Sequence, residues 1–285
     1  MLAAALIVFR EVLEAGLIVG VILAATEGVA KRARWISYGI GAGLLGAALV
    51  ALFAEQISAT FQGSGQAIFS ASILIGAVLM LSWHIIWMSR HASQLVSDLK
   101  TLGRKLTAGE TTLVAMATVV AVAVLREGSE VVLFLYGVAV GGDADPFGML
   151  VGALAGVAGG AAVSFSLYRS LVAIPVGRLF AVTNGLVALL AAGMAGQAAL
   201  LLAQADLIPT FGDQIWDTSW LLRDDGIVGK AMHALIGYSD RPMGVQLAAY
   251  LVVLVGLLAI GRHIGSQSRP ARPASSSGIA GAVRP

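Results

Sequence analysis

The 285-residue chain contains no cysteine, which excludes disulfides, thiolate metal ligands and cysteine nucleophiles. Charge is scarce as well. Asp, Glu, Lys and Arg make up 12% of the residues against 58% hydrophobic ones, where a soluble domain carries roughly 25% charged residues. There is no phosphate-binding loop, dinucleotide fingerprint or separate soluble catalytic domain, so the chain is read as a non-enzyme with no cofactor. Its basic residues are too few and too scattered for a nucleic-acid footprint. Glycine is plentiful, with 35 residues, but lacks the collagen period and suits close helix packing instead.

What the chain has is long apolar runs, with a mean hydropathy of +0.88. They approach or exceed the roughly 20 residues that a helix needs to cross a bilayer. The chain is therefore expected to be an all-α polytopic membrane protein of seven transmembrane helices, at about Leu2–Ala25, Trp35–Phe53, Ala67–Met88, Thr112–Val140, Leu150–Tyr168, Leu179–Ala203 and Gly244–Ile260. The first run has no basic leader and continues past its charged residues, so it is expected to be a retained span. The connection 206–243 mixes Trp216 and Trp220 with several acids and is expected to fold at the membrane surface. Residues 1–265 would form the membrane domain, and 266–285, rich in Ser, Pro, Gly and Arg, a disordered cytoplasmic tail.

Loop charge sets the orientation. Thirteen Lys and Arg, from Lys31 to Arg284, fall on alternate loops and the tail, against only Arg223, Lys230 and Arg241 on the other side. The positive-inside rule then places the N terminus outside and the C terminus in the cytoplasm. The outer loops carry Glu55, Asp143, Asp145, Asp206, Asp213, Asp217, Asp224, Asp225 and Asp240, which either gather cations or simply solvate the loops.

Two charged cassettes interrupt the apolar helices, Arg10-Glu11-Val12-Leu13-Glu14 and Arg126-Glu127-Gly128-Ser129-Glu130. An ionised side chain at bilayer depth costs a few kcal/mol or more, so six in two matched groups point to a polar path or ion site. The spacings place each cassette's glutamates on a shared helix face and its arginine one turn before the second glutamate. Arg10 is expected to pair with Glu14, and Arg126 with Glu130, the arginines holding carboxylates rather than ligating metal. The metal candidates are Glu11, Glu14, Glu127 and Glu130. Two acids per arginine exceed what helix-orienting salt bridges require, the competing reading. Oxygen donors without thiolates favour a hard or borderline metal, ferric or ferrous iron included, over copper(I).

The cassettes lie 116 positions apart, and their surroundings match in part. Gly39-Ile40-Gly41-Ala42-Gly43 is similar to Gly152-Ala153-Leu154-Ala155-Gly156, and Phe69-Ser70-Ala71-Ser72 to Phe180-Ala181-Val182-Thr183. Each unit holds three spans, about 1–90 and 110–205, so the second is expected to be inverted relative to the first, with helix 244–260 outside the pair. Secondary candidates are His84 and His91 at the inner end of the third span, where imidazole suits ferrous iron. Asn184 and Gln197 in the sixth span either line a path or bond neighbouring helices.

With its two Arg-Glu-x-x-Glu motifs, the second inside Leu125-Arg126-Glu127-Gly128-Ser129-Glu130, and with Trp216-Asp217-Thr218-Ser219 and Gly237-Tyr238 before the last span, the chain resembles the high-affinity iron permease family. That family includes fungal oxidase-coupled ferric permeases and bacterial ferrous-iron uptake permeases. The resemblance is nearly full length. It implies seven spans and inward transport of Fe3+ or Fe2+ through both motifs across a bacterial inner membrane. It also implies a periplasmic iron-delivery protein or ferroxidase as partner. Where relatives carry a His-Glu-rich segment after the sixth span, this chain has Gln197, Gln204 and Asp206 as oxygen donors. A transporter of another divalent metal, such as lead or manganese, and a membrane metal sensor are the alternatives.

Overall fold

The computed structural model describes residues 1–60, 66–141, 145–169, 176–224 and 226–267. Asp143, Asp225 and tail residues 268–285, to which the sequence assigned surface and disorder roles, lie outside the described residues. Among the described residues the regular structure is entirely helical. The helices are α1 (Leu2–Ala25), α2 (Arg32–Thr60), α3 (Gln66–Thr107), α4 (Leu113–Gly141), α5 (Pro146–Tyr168), α6 (Val176–Gln204), α7 (Ile227–Ile236) and α8 (Gly244–Gln267). Five stretches, in α2, α3, α5, α6 and α8, are long and apolar enough to cross a membrane. α1 and α4 are 24 and 29 residues long, and each carries the three charges of its cassette. The chain is a multi-pass membrane protein.

Local chemistry fixes several helix ends. Asp145 caps α5 by accepting from the Phe147 and Gly148 N–H groups at 3.1 and 2.9 Å, with Pro146 opening the first turn. At the end of α1, Thr26 donates its hydroxyl to Ile22 O at 2.7 Å and Arg32 reaches Leu23 O at 2.9 Å. A cation there complements the negative end of the helix dipole.

Two elements depart from the sequence expectation. α3 runs to Thr107, well past Met88, because Leu95, Leu99 and Leu106 keep an apolar stripe that packs beside Ile18, Ile22, Ile36 and Met116. Arg90, Lys100, Arg104 and Lys105 are thus on a helix rather than in a loop. The connection 206–243 contains α7, which closes at Gly237 with φ 68°, the left-handed conformation that glycine adopts without a Cβ penalty. Gly237 packs so closely on Gly193 of α6 that a Cβ on it would lie 2.5 Å from Gly193 Cα. The connection is hydrogen-bonded along its length. Tyr238 Oη hydrogen-bonds Thr218 Oγ1 at 2.6 Å and donates to Leu222 O at 2.9 Å. Asp224 accepts from the Asp240 N–H at 3.2 Å, and burial pushes its carboxyl above the usual carboxylate range.

The most extensive helix contacts are α1 with α5 and α2 with α4, followed equally by α6 with α3 and with α8. Small residues make the first two close. A Cβ on Gly43 of α2 would lie 2.7 Å from Ala121 O and 2.7 Å from Val124 Cβ in α4. A Cβ on Gly156 of α5 would lie 2.6 Å from Ala5 O and 2.9 Å from Val8 Cβ in α1. Ala5 and Ala121, like Val8 and Val124, are separated by the same 116 positions as the cassettes.

Two apolar clusters sandwich a polar layer. One joins Ala3 and Ile7 of α1 to Leu81 and Ile85 of α3, Phe134 of α4, and α6. The other joins Ile18 and Ile22 of α1 to Leu99 of α3 and Met116, Val120 and Val124 of α4. Along α1 the order is first cluster, cassette, second cluster; along α4 it is the reverse, so the two helices run antiparallel with their cassettes at one level.

Candidate metal centre

Arg10 and all four cassette glutamates face inward from their helices. Arg10, Glu11 and Glu14 are each 1% exposed, and Glu127 and Glu130 are buried. Burial of this many charges requires that they satisfy one another. Arg10 does most of this in the first cassette. Its Nη1 donates to Glu11 Oε1 at 2.8 Å, and its Nη2 lies 3.0 Å from Glu14 Oε1. In the second cassette Arg126 Nε donates to Glu130 Oε1 at 3.1 Å. Both expected arginine–glutamate pairs are therefore present, but unequal. The Arg126 side chain is 39% exposed and its guanidinium lies over the Trp87 ring, 4.5 Å from the centroid, a cation–π contact. Glu127 has no ion pair with it among the described contacts.

His84 joins the two cassettes. It lies in the middle of α3 rather than at the inner end expected from the sequence, and beside glutamates of both cassettes. It is 2% exposed, with Nε2 3.1 Å from Glu14 Oε2 and Nδ1 against Glu130 Oε2. A neutral imidazole donates from only one nitrogen, so two carboxylates on two nitrogens need an added proton, or a cation, on one side. Glu11, His84, Glu127 and Glu130 each offer a donor atom within 4.8 Å of the others, the geometry of a cation site. Glu11 and Glu127 thus bring carboxylate oxygens within 4.8 Å of each other, and Oε2 of each is buried with no hydrogen-bond donor. Two buried acceptors this close need a proton or a cation to satisfy them.

Of the expected glutamates, Glu11, Glu127 and Glu130 belong to this group of donors, whereas Glu14 is held between Arg10 and His84. His91 is elsewhere: its Nδ1 bonds Trp87 O at 3.0 Å and its ring stacks on Trp87. Asn184 and Gln197 are half-buried in α6. Asn184 Oδ1 is buried without a hydrogen-bond partner. Sequence spacing finds each cassette but not the ring that joins them. The available signal for His84 is an ionisable residue within an apolar span.

Residues 1–261 match the model of the Iron permease FTR1 family. The chain is 30% identical over 257 residues to the ferrous iron permease EfeU of Escherichia coli O157:H7, covering 89% of this chain and 92% of that one. It is 27% identical over 260 residues to the ferrous iron permease EfeU of Yersinia pestis, covering 90% and 91%. No solved structure matches significantly.

Proposed function

The chain belongs to the iron permease FTR1 family, and from that premise we propose that it imports iron across the inner membrane, through the layer where its two Arg-Glu-x-x-Glu cassettes meet. The observation that carries this reading is the buried gathering of Glu11, Glu127, Glu130 and His84, with donor atoms within 4.8 Å of one another, in which Glu11 and Glu127 each keep a carboxylate oxygen that no donor satisfies. Four carboxylates against two guanidinium groups leave two negative charges at a depth where a lone charge is costly, and a passing cation offsets them. The relatives are named as ferrous permeases, which favours Fe2+ over Fe3+ as cargo.

In this reading α1–α6 and α8 cross the membrane, α1–α3 and α4–α6 are inverted repeats, and the N terminus faces outside. The reciprocal packing of Gly43 on α4 and Gly156 on α1 supports the repeat. An inverted pair of units places a site at the midplane between them and lets one unit rock against the other. The arginines hold the carboxylates in place and compensate part of their charge, while Glu11, Glu14, Glu127 and Glu130 line the path.

Uptake of isotopic iron by proteoliposomes containing only this chain tests the reading, under ferrous and ferric conditions with a supplied membrane potential or proton gradient. Concentration-dependent inward flux above protein-free vesicles is expected. Binding without flux in folded protein under every gradient identifies a metal sensor instead. Preferred transport of manganese, zinc or lead overturns the iron assignment.

A further inference from the structure

We propose that His84 is itself a ligand of the transported ion, through Nδ1, alongside Glu11, Glu127 and Glu130, and that Glu14 is a positioning residue that holds the ring. The inference rests on the reading of the cassettes as the ion path and goes further, because it assigns an imidazole donor and removes one glutamate from the ligand set. Three observations carry it. Donor atoms of these four residues, all buried, lie within 4.8 Å of one another. Glu14 Oε2 is 3.1 Å from His84 Nε2, the outer carboxylate that fixes the tautomer and aim of a metal-binding imidazole. Nδ1, the nitrogen opposite, points at Glu130 Oε2 and has no hydrogen-bond partner of acceptable geometry. Glu14 is in turn fixed by Arg10, whose Nη2 lies 3.0 Å from its other oxygen.

The donor set then consists of three carboxylates and one imidazole. Carboxylates alone suit Mg2+ and Ca2+, whereas an imidazole adds affinity for borderline divalent ions such as Fe2+. His84 is thus the residue that separates ferrous iron from the more abundant hard cations. The two cassettes differ in function: the second contributes both glutamates to the ion, the first only Glu11.

Iron K-edge X-ray absorption on the purified full chain, loaded anaerobically with Fe2+, tests this. The wild type is expected to show the outer-shell multiple scattering of a bound imidazole. That signal should vanish in His84→Gln and persist in His91→Gln. His84→Gln should also lose about tenfold or more of its Fe2+ preference over Ca2+ in competition binding. Glu14→Gln can still accept from the ring N–H, so it should keep the imidazole signal while its Fe2+ affinity falls by roughly 10–100-fold. Should His84→Gln fail to fold, a variant with His91, His233 and His263 all changed to Gln leaves His84 as the sole imidazole, and its signal should remain. Bound iron without imidazole scattering in the wild type or the triple variant, or a signal unchanged in His84→Gln, overturns the inference and leaves the iron-path reading standing. No bound iron in the folded wild type overturns both.

Discussion

Gly43 of α2 faces the carbonyl of Ala121 in α4 so closely that a Cβ on it would sit 2.7 Å from that oxygen. Nothing there can yield, because the neighbour is helix backbone. Gly156 of α5 meets Ala5 in α1 in the same way, at 2.6 Å, so each cassette helix is set against a neighbour by a glycine, α4 by one in α2 and α1 by one in α5. Gly43→Leu and Gly156→Leu should each lower stability by about 1–3 kcal/mol or more through overpacking. Gly41→Leu, which meets nothing within 4 Å, should be tolerated. Thermal unfolding of the detergent-solubilised variants measures the difference, and equal loss at Gly41 would refute the seam.

Glu11→Gln, Glu14→Gln, Glu127→Gln and Glu130→Gln should each cut iron uptake by about tenfold or more, since each removes a buried negative charge from the polar layer. Glu110→Gln, in an exposed turn, should leave uptake unchanged. Folded protein in the membrane is quantified alongside, because the substitutions also strip a buried partner from arginine or histidine. Normal folding with wild-type uptake in all four would remove the proposed path.

The two arginines should respond unequally to lysine. Arg10 is 1% exposed and serves two carboxylates with separate nitrogens, a forked arrangement that an ammonium group cannot reproduce. Arg126 is 39% exposed at its side chain and serves one. Arg10→Lys should therefore destabilise the protein strongly, approaching the roughly 3–5 kcal/mol of a broken buried pair. Arg126→Lys should cost much less stability and act mainly on transport. Unfolding midpoints and uptake rates on the same preparations separate the two effects.

The absence of native cysteine allows a direct topology measurement. A cysteine at Trp220, 82% exposed in the connection before α7, should react with an impermeant thiol reagent added to intact cells. A cysteine at exposed Lys100 should react only after the membrane is opened. Reversed labelling would invert the proposed orientation and place the acids near α7 on the cytoplasmic side.

The sequence by itself determined the helical membrane class, six of the eight helices to within several residues, and both arginine–glutamate pairs, because apolar run length and one-turn spacing are local properties. The long end of α3 carries the same kind of signal in Leu95, Leu99 and Leu106, but its charged face hides it from a hydropathy reading. Short α7 is bounded by Gly226 and Gly237 inside a connection whose acids and tryptophans suggested a surface loop. Only the tertiary structure decided that Glu11 comes within 4.8 Å of Glu127 and that His84 stands between Glu14 and Glu130. Those contacts span 46 or more positions and join three different helices, and they depend on how closely α1, α3 and α4 approach, which no single helix's periodicity specifies. Burial then gives the arrangement its chemistry: once apolar clusters seal both sides of the layer, the charges must be satisfied by one another or by a cation.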